Sequence, residues 1–277
     1  MLKSILTAID GTDAAASATT LARRFARRYG AKLTGLAVVD VPFITAPEAT
    51  PLGGSYYKAH KDADLVKRAD EQARTMLARF DADCRGDAIA ASAIEREGDP
   101  YAQLVSLVDV HDLVVIGRDT SFHSIASNEI ATTVTRLLRE NPRPVIVTPP
   151  GLAESDVTVV AYDGSLPAMR ALQMLALLGI ALSGQTHIVS VNEDERAASA
   201  VAQRAQSYLQ LYGISAEIHP VGTSTHAGDA VAAKARALDA GLLAMGAFGH
   251  RGLREALLGS ATSRLLAATP TALFVHH

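Results

Sequence analysis

A single cysteine, Cys84, stands among 277 residues, so the chain can close no internal disulfide and build no cysteine-based metal cluster. A lone thiol also suits a reducing compartment. Excess charge is missing too. The formal net charge is −3 at pH 7 and the pI is about 6.3, which leaves no electrostatic footprint for DNA, RNA or an anionic membrane surface as the main partner. The most apolar stretch, Ala171 to Leu182, carries Gln173 and falls short of the roughly 20 residues that span a bilayer. It reads as a buried helix face. Met1 to Leu6 leads directly into a strand-like run without the apolar core and small-residue cleavage site of a signal peptide, so the expected location is the cytoplasm. Enzyme signatures are equally scarce. The P-loop with its Lys-Ser/Thr, the nucleophile elbow Gly-x-Ser-x-Gly and the His-Glu-x-x-His zinc motif are all absent, and no metal ligands are assigned.

What is present is a soluble globular composition, 48% hydrophobic and 20% charged, over a length that suits two domains. Short apolar runs alternate with helical periodicity. Lys3 to Ile9 reads as a strand ending at Asp10-Gly11-Thr12, followed by a helix from Ala14 to Tyr29 that stops at Gly30. Leu33 to Val39 is a second strand, Asp40 to Tyr57 a long loop, and Asp62 to Phe80 a second helix. A third strand over Ala88 to Glu95 precedes a helix opened by Asp99-Pro100. Leu113 to Gly117, a helix over Glu129 to Arg139 and Val145 to Val147 complete the unit. Such alternation implies right-handed crossovers and a parallel sheet covered on both faces. After Pro149-Pro150-Gly151 the pattern restarts: Val157 to Tyr162 ends in Asp163-Gly164-Ser165, Leu166 to Leu182 is helical, and Thr223 to Thr225 offers a cap for the helix reaching Asp239. The expectation is an α/β chain of two tandem, doubly wound, five-stranded parallel-sheet domains, residues 1–150 and 151–277.

The chemistry concentrates near the end of the chain. Gly246-Ala-Phe-Gly249, nine residues from His250 to Leu258, and Gly259-Ser260 lie between the buried run Leu242 to Met245 and a helix start. Glycines let backbone approach a ligand closely, turn amides form an anion nest, and a helix N-terminus with a hydroxyl adds donors and a positive dipole end. The set reads as a phosphate cradle. In a doubly wound sheet the ligand lies beyond the carboxyl ends of strands where strand order reverses, which places Asp163 on a neighbouring wall, able to accept from ribose or base. Asp-Gly-Ser is also a common turn, and Asp163 as a helix cap remains the alternative.

Gly246-x2-Gly249-x9-Gly259-Ser260, with Asp163 after the first strand and the repeated α/β unit, resembles the universal stress protein family in tandem form. The resemblance implies a Rossmann-like fold of the adenine nucleotide alpha-hydrolase type. It implies ATP, with Mg2+ as accompanying ion, contacted at Asp163, Val191, Gly246, Gly249, Gly259 and Ser260. His250 and Arg251, between the glycines, are added as phosphate neighbours. It further implies a stress-response regulator rather than an enzyme, at most a slow ATP hydrolase. The last strand of each unit would pair with its counterpart or with a second chain, so a homodimer and an unidentified protein partner are expected. The first unit departs from the pattern: Asp10 and Gly117 remain, but Arg118-Asp119-Thr120 lacks the second glycine and Ala131-Thr132 stands opposite Gly259-Ser260. Its cradle reads as degraded. A dinucleotide oxidoreductase is disfavoured because Gly246-x2-Gly249-x2-Gly252 has the wrong spacing, whereas an interaction scaffold remains the rival. Arg23-Arg24 and Arg27-Arg28 could form a basic stripe on the first helix.

Overall fold

The computed structural model describes residues 1–48, 55–124, 127, 129–152, 154–180, 184–247 and 260–277. The first unit runs β1 (Ser4–Ala8), α1 (Asp13–Tyr29), β2 (Lys32–Val39), α2 (Val41–Ile44), α3 (Ser55–Gly86), β3 (Ala91–Glu97), α4 (Pro100–Val108), β4 (Leu113–Gly117), α5 (Thr132–Glu140) and β5 (Val145–Thr148). The second repeats it as β6 (Thr158–Ala161), α6 (Leu166–Leu178), β7 (Thr186–Asn192), α7 (Glu195–Gln210), β8 (Ala216–Gly222), α8 (Ala227–Ala237), β9 (Leu242–Gly246), α9 (Ser260–Ala268) and β10 (Ala272–His276).

Local chemistry explains most boundaries. Thr12 caps α1 by accepting from the Ala15 amide, and Gly30 ends it in the left-handed region at φ 63°. Gly179, at φ 69°, stops α6 at Leu178, short of the expected Leu182. The helix expected over Asp62 to Phe80 is longer, because its apolar signal covers part of it: α3 buries Ala73, Leu77, Phe80 and Cys84, a stripe that starts well after Ser55. Its solvated face is supported by i,i+4 pairs, Lys58 with Asp62 near the start and Arg74 with Asp70 at 2.9 Å in the middle. The loop expected from Asp40 contains the short α2, capped by Asp40 through the Phe43 amide. Thr223 and Thr225 bond to each other, and the cap of α8 is His226, whose Nδ1 accepts from the Gly228 amide.

The two five-stranded units are joined through their last strands, one of the two pairings expected, so that the ten described strands form one sheet in the order β3-β2-β1-β4-β5-β10-β9-β6-β7-β8. Within each unit the pairing is parallel. The units meet where β5 and β10 pair antiparallel, with Ile146 opposite Phe274. One apolar cluster holds Phe25, Phe80 and Ile146 together with Leu172, Leu175 and Phe274, so the core is shared. The start of the chain is also tied across: Leu2 N donates to Leu178 O at 3.1 Å.

The basic stripe expected on α1 is largely consumed internally. Arg23 is held by Asp83 and Asp87 at the end of α3, at 3.2 and 2.5 Å, Arg27 approaches Asp87 at 3.9 Å, and Arg28 lies over the Tyr29 ring. Cys84 is fully buried and its thiol is pushed up to about 11 by burial, as befits an inert packing residue.

Candidate functional site

The second unit brings three of the expected residues to one end of the sheet. β6 lies between β9 and β7, with Val160 opposite Ala244 and Ile188, so Asp163 just after β6, Val191 near the end of β7 and Gly246 at the end of β9 converge. Asp163 is exposed and its Oδ1 accepts from the Ser165 amide at 2.9 Å. Ser165 then caps α6 through the Ala168 amide. Gly164 makes the turn at φ 76°, where a side chain would be strained. Ser260 is the first residue of α9. Gly249, His250, Arg251 and Gly259 lie outside the described residues.

Gly246 has a structural duty that its place in the motif does not disclose. A Cβ there would lie 2.3 Å from the carbonyl carbon of Pro167 and 2.4 Å from the Ala168 nitrogen. The glycine therefore lets the start of α6 pack onto the strand end. Gly117 in the first unit meets the same demand, its Cβ position falling 2.5 Å from Ala15 N and 2.6 Å from the Ala14 carbonyl carbon. This explains why Gly117 persists where the rest of the motif is lost.

At the matching corner of the first unit the chain closes over itself. Asp10 is 1% exposed; its Oδ1 accepts from the Thr12 amide and hydroxyl, and its Oδ2 from the Ser121 and Phe122 amides at 3.1 and 3.3 Å. The Ser124 hydroxyl donates to the Asp10 carbonyl, and Thr12 also meets the buried Asp119. Burial raises the Asp10 carboxyl above its ordinary value despite those donors. Phe122 is inserted at 7% exposure, and Phe122 and Ser124 adopt φ of 65° and 54°, a conformation costing about 1–3 kcal/mol per residue that the surroundings must enforce. The loop after β4 thus occupies one carboxylate oxygen and the turn into α1 the other. Thr132 begins α5 but does not cap it: the cap position is Ala131, with no side-chain bond.

Two further residues at the second site lie beyond what the sequence signals. Arg204 of α7 places Nη2 3.2 Å from where a Gly164 Cβ would sit, bringing a cation to the Asp163 corner. His276 ends β10 opposite Gly246, and burial, with His277 and Arg170 nearby, pushes its imidazole down to about 4. Neither carries a motif signal, since each is positioned by an element distant in sequence.

A sequence profile of the Universal stress protein family matches residues 1–149 and again residues 155–277. The chain belongs to that family. A universal stress protein of Synechocystis sp. is 26% identical over 282 residues, covering 97% of each chain. Among solved structures, a universal stress protein from Archaeoglobus fulgidus superposes with a TM-score of 0.72 at 20% identity over 99% of this chain and 97% of that one. A functionally unknown Pseudomonas aeruginosa protein gives a TM-score of 0.58 at 15% identity, over 99% and 92%. These likenesses establish the α/β, Rossmann-like fold of this universal stress protein.

Proposed function

We propose that the second unit of this universal stress protein, residues 151–277, holds ATP with Mg2+, and that the first, residues 1–150, is a closed scaffold. The protein would then be a nucleotide-dependent regulator of the stress response. The observation that carries the reading is the contrast between the two corner aspartates: Asp10 is sealed by four donors from its own chain, whereas Asp163 is exposed. The described residues fit an adenine nucleotide. Asp163 can accept from the ribose, Val191 offers apolar surface beside it, and the start of α6 and Arg204 add positive potential for phosphates. Gly246, Gly249, Gly259 and Ser260 supply the cradle in this reading, with His250 and Arg251 beside it. No P-loop lysine or identifiable base accompanies the set, so hydrolysis is slower than about 1 s⁻¹, the lower end of usual enzyme turnover. The β5–β10 pairing meets within one chain the contact that a second copy would otherwise supply, and light scattering is expected to give the 29.1 kDa monomer.

Titration calorimetry of the full chain with MgATP tests the assignment. One ATP per chain is expected, lost in Asp163→Ala with melting temperature unchanged. Two equal sites, or undiminished affinity in Asp163→Ala, would overturn it. Binding of no nucleotide at all would favour the interaction scaffold.

A further inference from the structure

A cluster at the other end of the second unit's strands has the makings of a metal centre. His187 is the second residue of β7 and Glu217 the second of β8, and the two are register partners; His219 follows two residues on, opposite Val189. Period-two alternation puts all three side chains on one face of neighbouring strands. His187 Nδ1 lies 2.9 Å from His219 Nε2, and the Glu217 carboxylate reaches both, its Oε2 3.7 Å from His187 Nδ1 and its Oε1 3.7 Å from His219 Nε2. Two nitrogens and a carboxylate oxygen all within 4.8 Å of one another form a triangle. Bonds of about 2.0–2.1 Å to a tetrahedral Zn2+ separate adjacent ligand atoms by roughly 3.4 Å, so the nitrogens, 2.9 Å apart, must open slightly, and the exposed carboxylate, whose two oxygens each lie 3.7 Å from one nitrogen, must turn to bring one oxygen within reach of both.

We infer that His187, Glu217 and His219 bind a divalent first-row transition ion, of which Zn2+ is the best match, with water as fourth ligand. Two imidazoles and one carboxylate are a donor set that Zn2+ takes when one position stays open. The imidazoles are largely buried, with side chains 4% and 13% exposed, while Glu217 is 69% exposed; the ion enters from solvent on the carboxylate side. Burial, then Lys234 of α8, lowers the His219 pKa, with Glu217 opposing and His187 adding to the shift. Lys234 is the cation facing the centre, and Glu217 offsets it. Since β8 is an outer edge of the sheet, the ion staples that edge to β7. Val191 lies four residues along β7 from His187, about 13 Å at the usual rise of a strand, so the ion is separate from any Mg2+ carried by a nucleotide. The pair leaves no motif in the sequence because 32 residues separate the two histidines.

Equilibrium dialysis of chelator-treated, tag-free full-length protein against Zn2+, with Co2+ absorption as spectroscopic readout, tests the site. One Zn2+ per chain and the visible bands of four-coordinate Co2+ are expected. Both should persist in Asp163→Ala and in His276→Ala/His277→Ala, which removes the C-terminal histidine pair as a competing chelator. His187→Ala and His219→Ala should each weaken binding by more than the roughly 10–100-fold that altering an outer-shell partner produces, and Glu217→Gln should weaken it as well. His219→Gln keeps a hydrogen-bonding partner for His187, so it reports on ligation should His187→Ala misfold. No Zn2+ bound by the parent chain, or parent-like affinity in His219→Gln, would overturn the site.

Discussion

At the scale of the residue, one amino acid in two equivalent places does two different things. Asp10 and Asp163 each follow the first strand of a unit and precede a Gly and a hydroxyl residue, yet Asp10 is a buried acceptor and Asp163 an exposed one. Asp10→Ala leaves the Ser121 and Phe122 amides unpaired inside the fold and is expected to cost about 2–4 kcal/mol in denaturant unfolding, with faster hydrogen exchange at those two amides. Asp163→Ala is expected within about 0.5 kcal/mol of the parent, as for a surface change. The glycines invite a second comparison. Since a Cβ at Gly246 or Gly117 collides with helix backbone, Gly246→Ala and Gly117→Ala should both lower the melting temperature without any nucleotide present, by well over the equivalent of about 1 kcal/mol. A Gly246→Ala protein as stable as its parent would return that glycine to a purely ligand-facing role. Sequence shows that a glycine is needed there; which neighbour demands it depends on how close α6 sits, and that is a tertiary fact.

At the scale of the element, legibility follows burial. The strands β4 and β9 are uninterrupted apolar runs, readable to within a residue, whereas the first two turns of α3, Ser55 to Lys61, bury no residue and give no signal. The loop after β4 declares its missing glycine but not its role as a plug, because its anchors Asp10 and Ser124 are 114 residues apart. His276 at the end of β10 makes a pH prediction. Its folded pKa of about 4 lies below the ordinary 6.5, so the unfolded chain binds the proton more readily, and the stability tied to the neutral ring is complete above about 6.5 and lost as pH falls toward 4. Urea titrations between pH 7 and 4 should show a steeper loss for the parent than for His276→Gln; parallel curves would mean that other groups set the acid limb.

On the scale of the whole molecule, the repeat and the two-unit plan are evident in the order of runs, and the antiparallel join is one of two arrangements open to the terminal strands. What sequence cannot decide is whether the partner of β5 lies within the chain, since any strand of matching shape offers the same ladder of amides and carbonyls. The β5–β10 ladder and the shared core predict that a single proteolytic cut in the 149–157 connection leaves the fragments together on gel filtration under native conditions, separating in denaturant. Fragments that part on their own would mean the units are held by the connection rather than by the sheet.

Fusing the two units into one sheet also fixes their ratio. Two free copies of an open unit could pair with each other and sense nucleotide in concert, with one occupied copy tuning the next. Here each open corner is bound for life to a closed one through β5 and β10, so a copy never meets its like across that seam. If the open corner holds nucleotide as proposed, the expected response of such a chain is a simple hyperbola with a Hill coefficient of about one, trading steepness for a graded reading over a wide range of concentration.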